Sequence, residues 1–216
     1  MDSLILTFNK EQMNLYKELL KNDNIELNFD TSLPNIEDYQ SEVLNEALTR
    51  IEKETKKLLE LNKNSSSFSA FMTQDEIKEM IPVYYKAIRE IRGHKINIGA
   101  ESWKLSIKIG EINKILADIN KRYADFLPYK AALYNRDEYA LEIETIDRQF
   151  KESIVLANEY KKEILELMGR IELICNVTSQ FFQKLSKASD EPKFKNFNAN
   201  DFFWATEAYL EQLKSI

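Results

Sequence analysis

Stepping along the chain from Ile77 by alternating four and three residues reaches Phe126 in fifteen positions, and only Lys95 and Ser102 are not apolar. Apolar residues recurring every 3.5 positions over seven heptads share one face only if the backbone is helical. A second row of the same kind runs from Ile143 through Phe150, Tyr160, Leu167 and Ile174 to Leu185, interrupted only by Ser153 and Thr178. Between the rows, Pro128 disfavours helical geometry at Leu127, and Asn135 with Glu138 can cap the next helix. The chain is therefore expected to reverse between 127 and 138. The two rows read as an antiparallel hairpin of long helices, about 74–127 and 138–187.

Turn chemistry agrees with this reading. A chain of 216 residues with 4 glycines and 4 prolines cannot supply the tight turns of sandwiches, barrels or propellers. Two places weaken the first helix. Pro82 removes the donor for the carbonyl of Lys78 and predicts a kink there. Gly93 and Gly99 bracket Lys95, so Ile96-Asn97-Ile98 reads either as continuous helix or as a brief non-helical link.

Other elements follow from shorter signals. Asn9 with Gln12 makes a capping box for a first helix carrying Met13, Tyr16, Leu19 and Leu20. Ile25, Leu27 and Phe29 alternate with polar residues, so a short two-stranded pairing of 4–8 with 25–29 is weighed against extended coil. Ser32 and Pro34 signal a helix over 34–61, ended by the Asn- and Ser-rich residues 62–67. Thr73 with Glu76 caps the long helix. A last helix starts near 200.

Apolar residues beside the rows, such as Ile107, Ile115, Leu156, Leu165, Met168, Val177 and Phe182, widen the stripe beyond what a two-stranded rod buries. Helix 34–61 or a second chain must cover the excess. The fold class expected is all-α: one elongated antiparallel bundle over 34–187, with a small segment 1–30 before it and an aromatic segment 190–216 after it.

Chemistry is scarce in the sequence. His94 is the sole histidine, so one chain cannot build a two-histidine metal site; it reads as a loop or surface residue. The sole cysteine, Cys175, follows Ile174 of the second row and reads as a small buried hydrophobe. Carboxylates three apart (Glu76/Glu79, Glu144/Asp147, Glu163/Glu166) arise readily in an acidic helical chain and read as solvated faces. There is no Gly-rich phosphate loop and no nucleophile elbow. No metal and no cofactor is implied.

A net charge of −6 opposes nucleic-acid and anionic-lipid binding. No uninterrupted apolar run approaches the roughly 20 residues of a spanning helix, and the N-terminus lacks a Sec-type leader. The expectation is a cytoplasmic protein, with secretion independent of a Sec leader as the alternative. What remains is association with protein, as a homo-oligomer or as a subunit of a larger assembly. Phe194, Phe197, Phe202, Phe203 and Trp204 form the densest aromatic cluster and are the candidate contact residues, against the reading that this tail packs on its own bundle. The rival functions are a secreted or injected helical effector, including a helical pore-former, and a magnesium-dependent carboxylate enzyme.

Overall fold

A computed structural model describes residues 7–27, 29–65, 73–188 and 199–216. It is all-α, with helices α1 (Lys10–Lys21), α2 (Glu37–Ser65), α3 (Gln74–Leu133), α4 (Asp137–Ala188) and α5 (Ala199–Lys214). The chain forms two compact units, one from Met1–Gln40 with Lys108–Lys162 and one from Ser41–Ile107 with Glu163–Ile216.

In the first unit the two rows of apolar residues meet. Ile112, Leu116, Ile119 and Phe126 of α3 and Ile143, Ile146, Phe150, Ala157 and Tyr160 of α4 are buried. Each large side chain so buried contributes about 1.5–3 kcal/mol, opposed by comparable ordering entropy. The expected capping box closes α1: Gln12 N–H donates to Asn9 Oδ1 at 2.8 Å, and Asn9 N–H donates to Gln12 Oε1 at 3.1 Å. At the other end of α1, Arg136 donates to the carbonyls of Leu20 and Asn22, at 3.3 and 3.0 Å.

The second unit packs α2, α5 and parts of α3 and α4. Leu44, Ala47, Ile51 and Leu58 of α2 are buried, with Ile91, Ile98 and Leu105 of α3 and Ile164, Leu167, Ile171 and Ile174 of α4. Tyr209 of α5 stacks on Phe181 with centroids 4.4 Å apart and planes 8° from parallel. The pairs Tyr123–Asp147 and Asn113–Lys161 in the first unit, and Lys95–Ser179 in the second, fall along α3 as they rise along α4. The two helices are therefore antiparallel. Of the thirteen row positions on α4 all are buried except Ser153, which is half-buried, and no described row position on α3 is exposed.

Several expectations need correction. α3 does not end at Leu127 but runs through Pro128 to Leu133, and the reversal is confined to residues 134–136. The reason lies in α1. Pro128 has no N–H to give the carbonyl of Ala124, and Gln12 Nε2 supplies that donor at 2.9 Å. Burial of Tyr129, Ala132 and Leu133 rewards the extra turn. α3 also continues through Pro82 and through 93–99, with no non-helical link. The glycines there cost about 1 kcal/mol each against alanine, less than burial of the neighbouring Ile91 and Ile98 returns.

No strand is present among the described residues. Residues 25–27 are not in a strand, and Leu4, Ile5 and Leu6 lie outside the described residues. An isolated strand pair is marginal in water. Phe29 instead docks its ring 5.3 Å from Phe126 and 5.0 Å from Tyr129. α2 begins at Glu37 rather than 34 and extends to Ser65 rather than 61. Residues 66–67 of the proposed loop lie outside the described residues.

Candidate functional site

The aromatic cluster is only partly described. Phe194 and Phe197 lie outside the described residues, and Phe202 and Phe203 stand on α5 with side chains outside them. Trp204 is 64% exposed, while Ala205, Thr206, Tyr209 and Leu213 of the same helix are buried. α5 thus packs through one face and turns Trp204 to the outside.

A larger outward surface lies on α3. Tyr85, Arg89, Arg92, Ile96, Ala100, Trp103 and Ile107 follow one another at steps of 4, 3, 4, 4, 3 and 4, and all are exposed. This row lies opposite Ile91, Ile98 and Leu105, which are filled from within the unit. Ile96 and Trp103 keep 65% and 69% of their surface accessible. Every exposed charged side chain between 85 and 107 is a cation: Lys86, Arg89, Arg92 and Lys104. The acids of that stretch are turned inward. Glu101 is held by Lys104 at 2.7 Å and approached by Arg50 at 3.9 Å. Arg92 also lies over the Phe182 ring, 5.4 Å from its centroid.

Sequence reasoning did not single out Ile96 or Trp103. Of the flanking apolar residues it named, Ile115, Leu156, Met168, Val177 and Phe182 are half-buried, and Ile107 and Leu165 are exposed. The signal that could have found the row was its own period: the same 3.5-residue step, half a turn away from the first row.

The reactive groups are held in structural pairings. His94 is not a loop residue; it sits within α3, half-buried, with Nδ1 against Glu54 Oε2. Burial pushes the Glu54 carboxyl up, but hydrogen bonds from Lys57 and His94 outweigh it and hold the group below the usual range. Lys95, the charged interruption of the row, donates to Ser179 Oγ at 2.6 Å, and Ser179 donates to the carbonyl of Cys175 at 2.7 Å. Burial pushes the Cys175 thiol up, which keeps it protonated and a poor nucleophile.

In the first unit, Asp147 accepts from Tyr123 at 2.8 Å, Lys130 at 2.7 Å and Lys151 at 2.8 Å. Burial raises its carboxyl, yet these three donors together hold it below the ordinary value; burial and the same contact push the Tyr123 phenol far up. Two open clefts lie there. One of about 390 Å³ is bounded by Gln12, Phe29, Asp30, Arg122, Asp125 and Tyr129. The other, of about 490 Å³, lies between Leu27, Phe29, Leu141, Thr145 and Ile146. Arg122 bridges Asp30 at 3.0 Å and Asp118 at 2.8 Å.

The carboxylate pairs expected to be solvated do not gather into a ligand set. Glu76 is spent on the Thr73 cap, Glu79 and Glu163 are exposed, and Asp147 is enclosed by cations. Among the described residues, no three His, Cys, Asp or Glu side chains come together as a metal ion would require.

No protein-family model, curated protein or solved structure matches this chain.

Proposed function

We propose that this protein is a non-enzymatic interaction subunit that works by presenting a helical face to another protein. The observation that carries the reading is the second row on α3. Its large residues Ile96, Trp103 and Ile107 have the spacing of a helix–helix contact, yet they point away from a seam already filled within the unit. Exposed tryptophan and isoleucine flanked by arginine is the composition of interface anchors. Trp204 adds a second exposed aromatic of the same type. Among the described residues no helix is long and apolar enough to cross a membrane, and the cationic row is narrow, which suits a facing helix better than a flat lipid surface.

A photo-crosslinking residue placed at Trp103, compared with one at Glu152 of α4, tests the reading in the native host. A discrete adduct at 103 that is absent at 152 is the expected result. Equal labelling at both positions, or none at 103, removes the basis for it.

A further inference from the structure

We propose that the cleft of about 390 Å³ in the first unit is a binding site for an aliphatic di- or polyamine. The α3 row belongs to the second unit, so this inference stands independently of the interaction reading. Tyr129 carries it. The residue lines the cleft and is only 9% exposed, and among the described residues nothing hydrogen-bonds its hydroxyl. Its ring rests against Phe29, with centroids 5.0 Å apart. A buried phenol ordinarily has a partner for its hydroxyl, so this one is completed by what enters the cleft.

The other polar groups decide which chemistry that is. Gln12 is spent, because its Oε1 accepts from the Asn9 N–H at 3.1 Å and its Nε2 donates to the Ala124 carbonyl at 2.9 Å. Arg122 is spent too, on Asp30 at 3.0 Å, on Asp118 at 2.8 Å and on the Ser32 carbonyl. Open acceptors remain. Asp125 stands on α3 one turn before Tyr129, and Glu11 stands on α1. Both line the cleft and are exposed, and neither carboxylate is ion-paired among the described residues. Lys10 and Lys121, the nearest lysines in sequence, do not line it.

Such a cleft asks for a ligand made of donors. An ammonium group has three and no acceptor, so one held between Asp125 and Tyr129 can donate to both. Phe29 and Leu15 suit the methylenes of an alkyl chain, and Glu11 takes a second ammonium. A divalent metal ion fits worse, since among the described residues no three His, Cys, Asp or Glu side chains come together to hold one. An anion is disfavoured as well. Arg122 is already held by Asp30 and Asp118, and the N-terminus of α1 is closed by its own capping box.

Spermidine is the probe, titrated into the full chain by calorimetry from micromolar to millimolar concentration. One site is expected, with backbone amide shifts in NMR gathered at residues 9–12, 29–30 and 122–129. The decisive variant is Tyr129→Phe. It keeps the ring against Phe29 and gives up no protein hydrogen bond, so the unliganded protein stays as stable as wild type. Spermidine nevertheless binds it about tenfold more weakly, the factor that a lost hydrogen bond to a charged group carries. Asp125→Asn weakens binding about threefold or more. Glu152→Gln, the same change of charge on an exposed residue of α4, leaves it unaltered.

The rival is a loose counterion cloud drawn by the net charge of −6. Equal weakening by Asp125→Asn and Glu152→Gln, or amide shifts spread over every acidic face, assigns the binding to that cloud and overturns the site. Unchanged affinity in Tyr129→Phe overturns it too, as does the absence of binding at millimolar spermidine.

Discussion

Replacing Gln12 with glutamate separates the two tasks of one amide. The glutamate carboxylate still accepts from the Asn9 N–H, so the capping box of α1 survives. It cannot donate, so the carbonyl of Ala124 loses the hydrogen bond that Gln12 Nε2 now makes at 2.9 Å. That carbonyl has no helical donor in reserve, because residue 128 is proline. A part-buried carbonyl without a partner costs about 1–3 kcal/mol, and Gln12→Glu is expected to destabilise by that much.

In a Pro128→Ala background the outcome changes. The alanine introduced there supplies the N–H, and the Ala124 carbonyl re-enters the helical ladder. The same Gln12→Glu substitution then costs about 0.5 kcal/mol or less, because no carbonyl is left without a donor. The coupling between positions 12 and 128 is about 1–2 kcal/mol, within the range that contacting residues show. Native-state hydrogen exchange of the α1 and α3 amides reads this unit without assuming that the whole chain unfolds in one step. Equal costs for Gln12→Glu in both backgrounds would refute the idea that Gln12 substitutes for the missing proline donor.

Two further perturbations probe the polar interior. Thr178 gives its hydroxyl proton to the Ile174 carbonyl at 2.7 Å, so it receives the Tyr209 O–H at 2.8 Å. Burial pushes that phenol up to about 12. Thr178→Val strands a buried donor and should cost about 1–3 kcal/mol, more than Tyr209→Phe, while the double variant should cost less than Thr178→Val alone; urea unfolding of the four proteins checks the order. Asp147 has a depressed carboxyl, so its contribution is present above the unfolded value near 4 and is lost as pH falls through the lower folded value. Asp147→Asn should therefore be clearly less stable than wild type at pH 7, with the gap closing below about pH 4, as followed by denaturation at a series of pH values.

What the sequence made legible was periodic. Both apolar rows, the caps at Asn9 and Thr73 and the all-α class appear in the structure because repeated burial of isoleucine and leucine dominates any single residue's preference. What escaped was local and depended on distant partners. Pro128 reads as a helix end until Gln12, 112 positions apart from Ala124, is seen to satisfy the freed carbonyl. His94 and Lys95 read as blemishes between two glycines until Glu54 and Ser179 are found opposite them. The α3 contact row was hidden for a different reason. Ile107 and Leu165 look the same in sequence whether they widen a core or face outward, and only the positions of α2 and α5 decide between the two.

The polar pairs between α3 and α4 have one more consequence. Two antiparallel helices lined with isoleucine and leucine every seven residues fit one another almost equally well after sliding by a heptad, so apolar contact alone leaves several alignments close in energy. Lys95 reaches Ser179, Lys161 reaches Asn113 at 2.8 Å, and Tyr123 reaches Asp147. Seven residues either way along α4, Asn113 would face Met168 or Ile154 in place of Lys161, and Tyr123 would face Ile154 or Ala140 in place of Asp147. Lys95 would meet Ser186 or Glu172 and so marks no single offset. The pairs Lys161–Asn113 and Tyr123–Asp147 act together like two marks of a vernier scale, agreeing at one offset of α3 against α4 in the first unit.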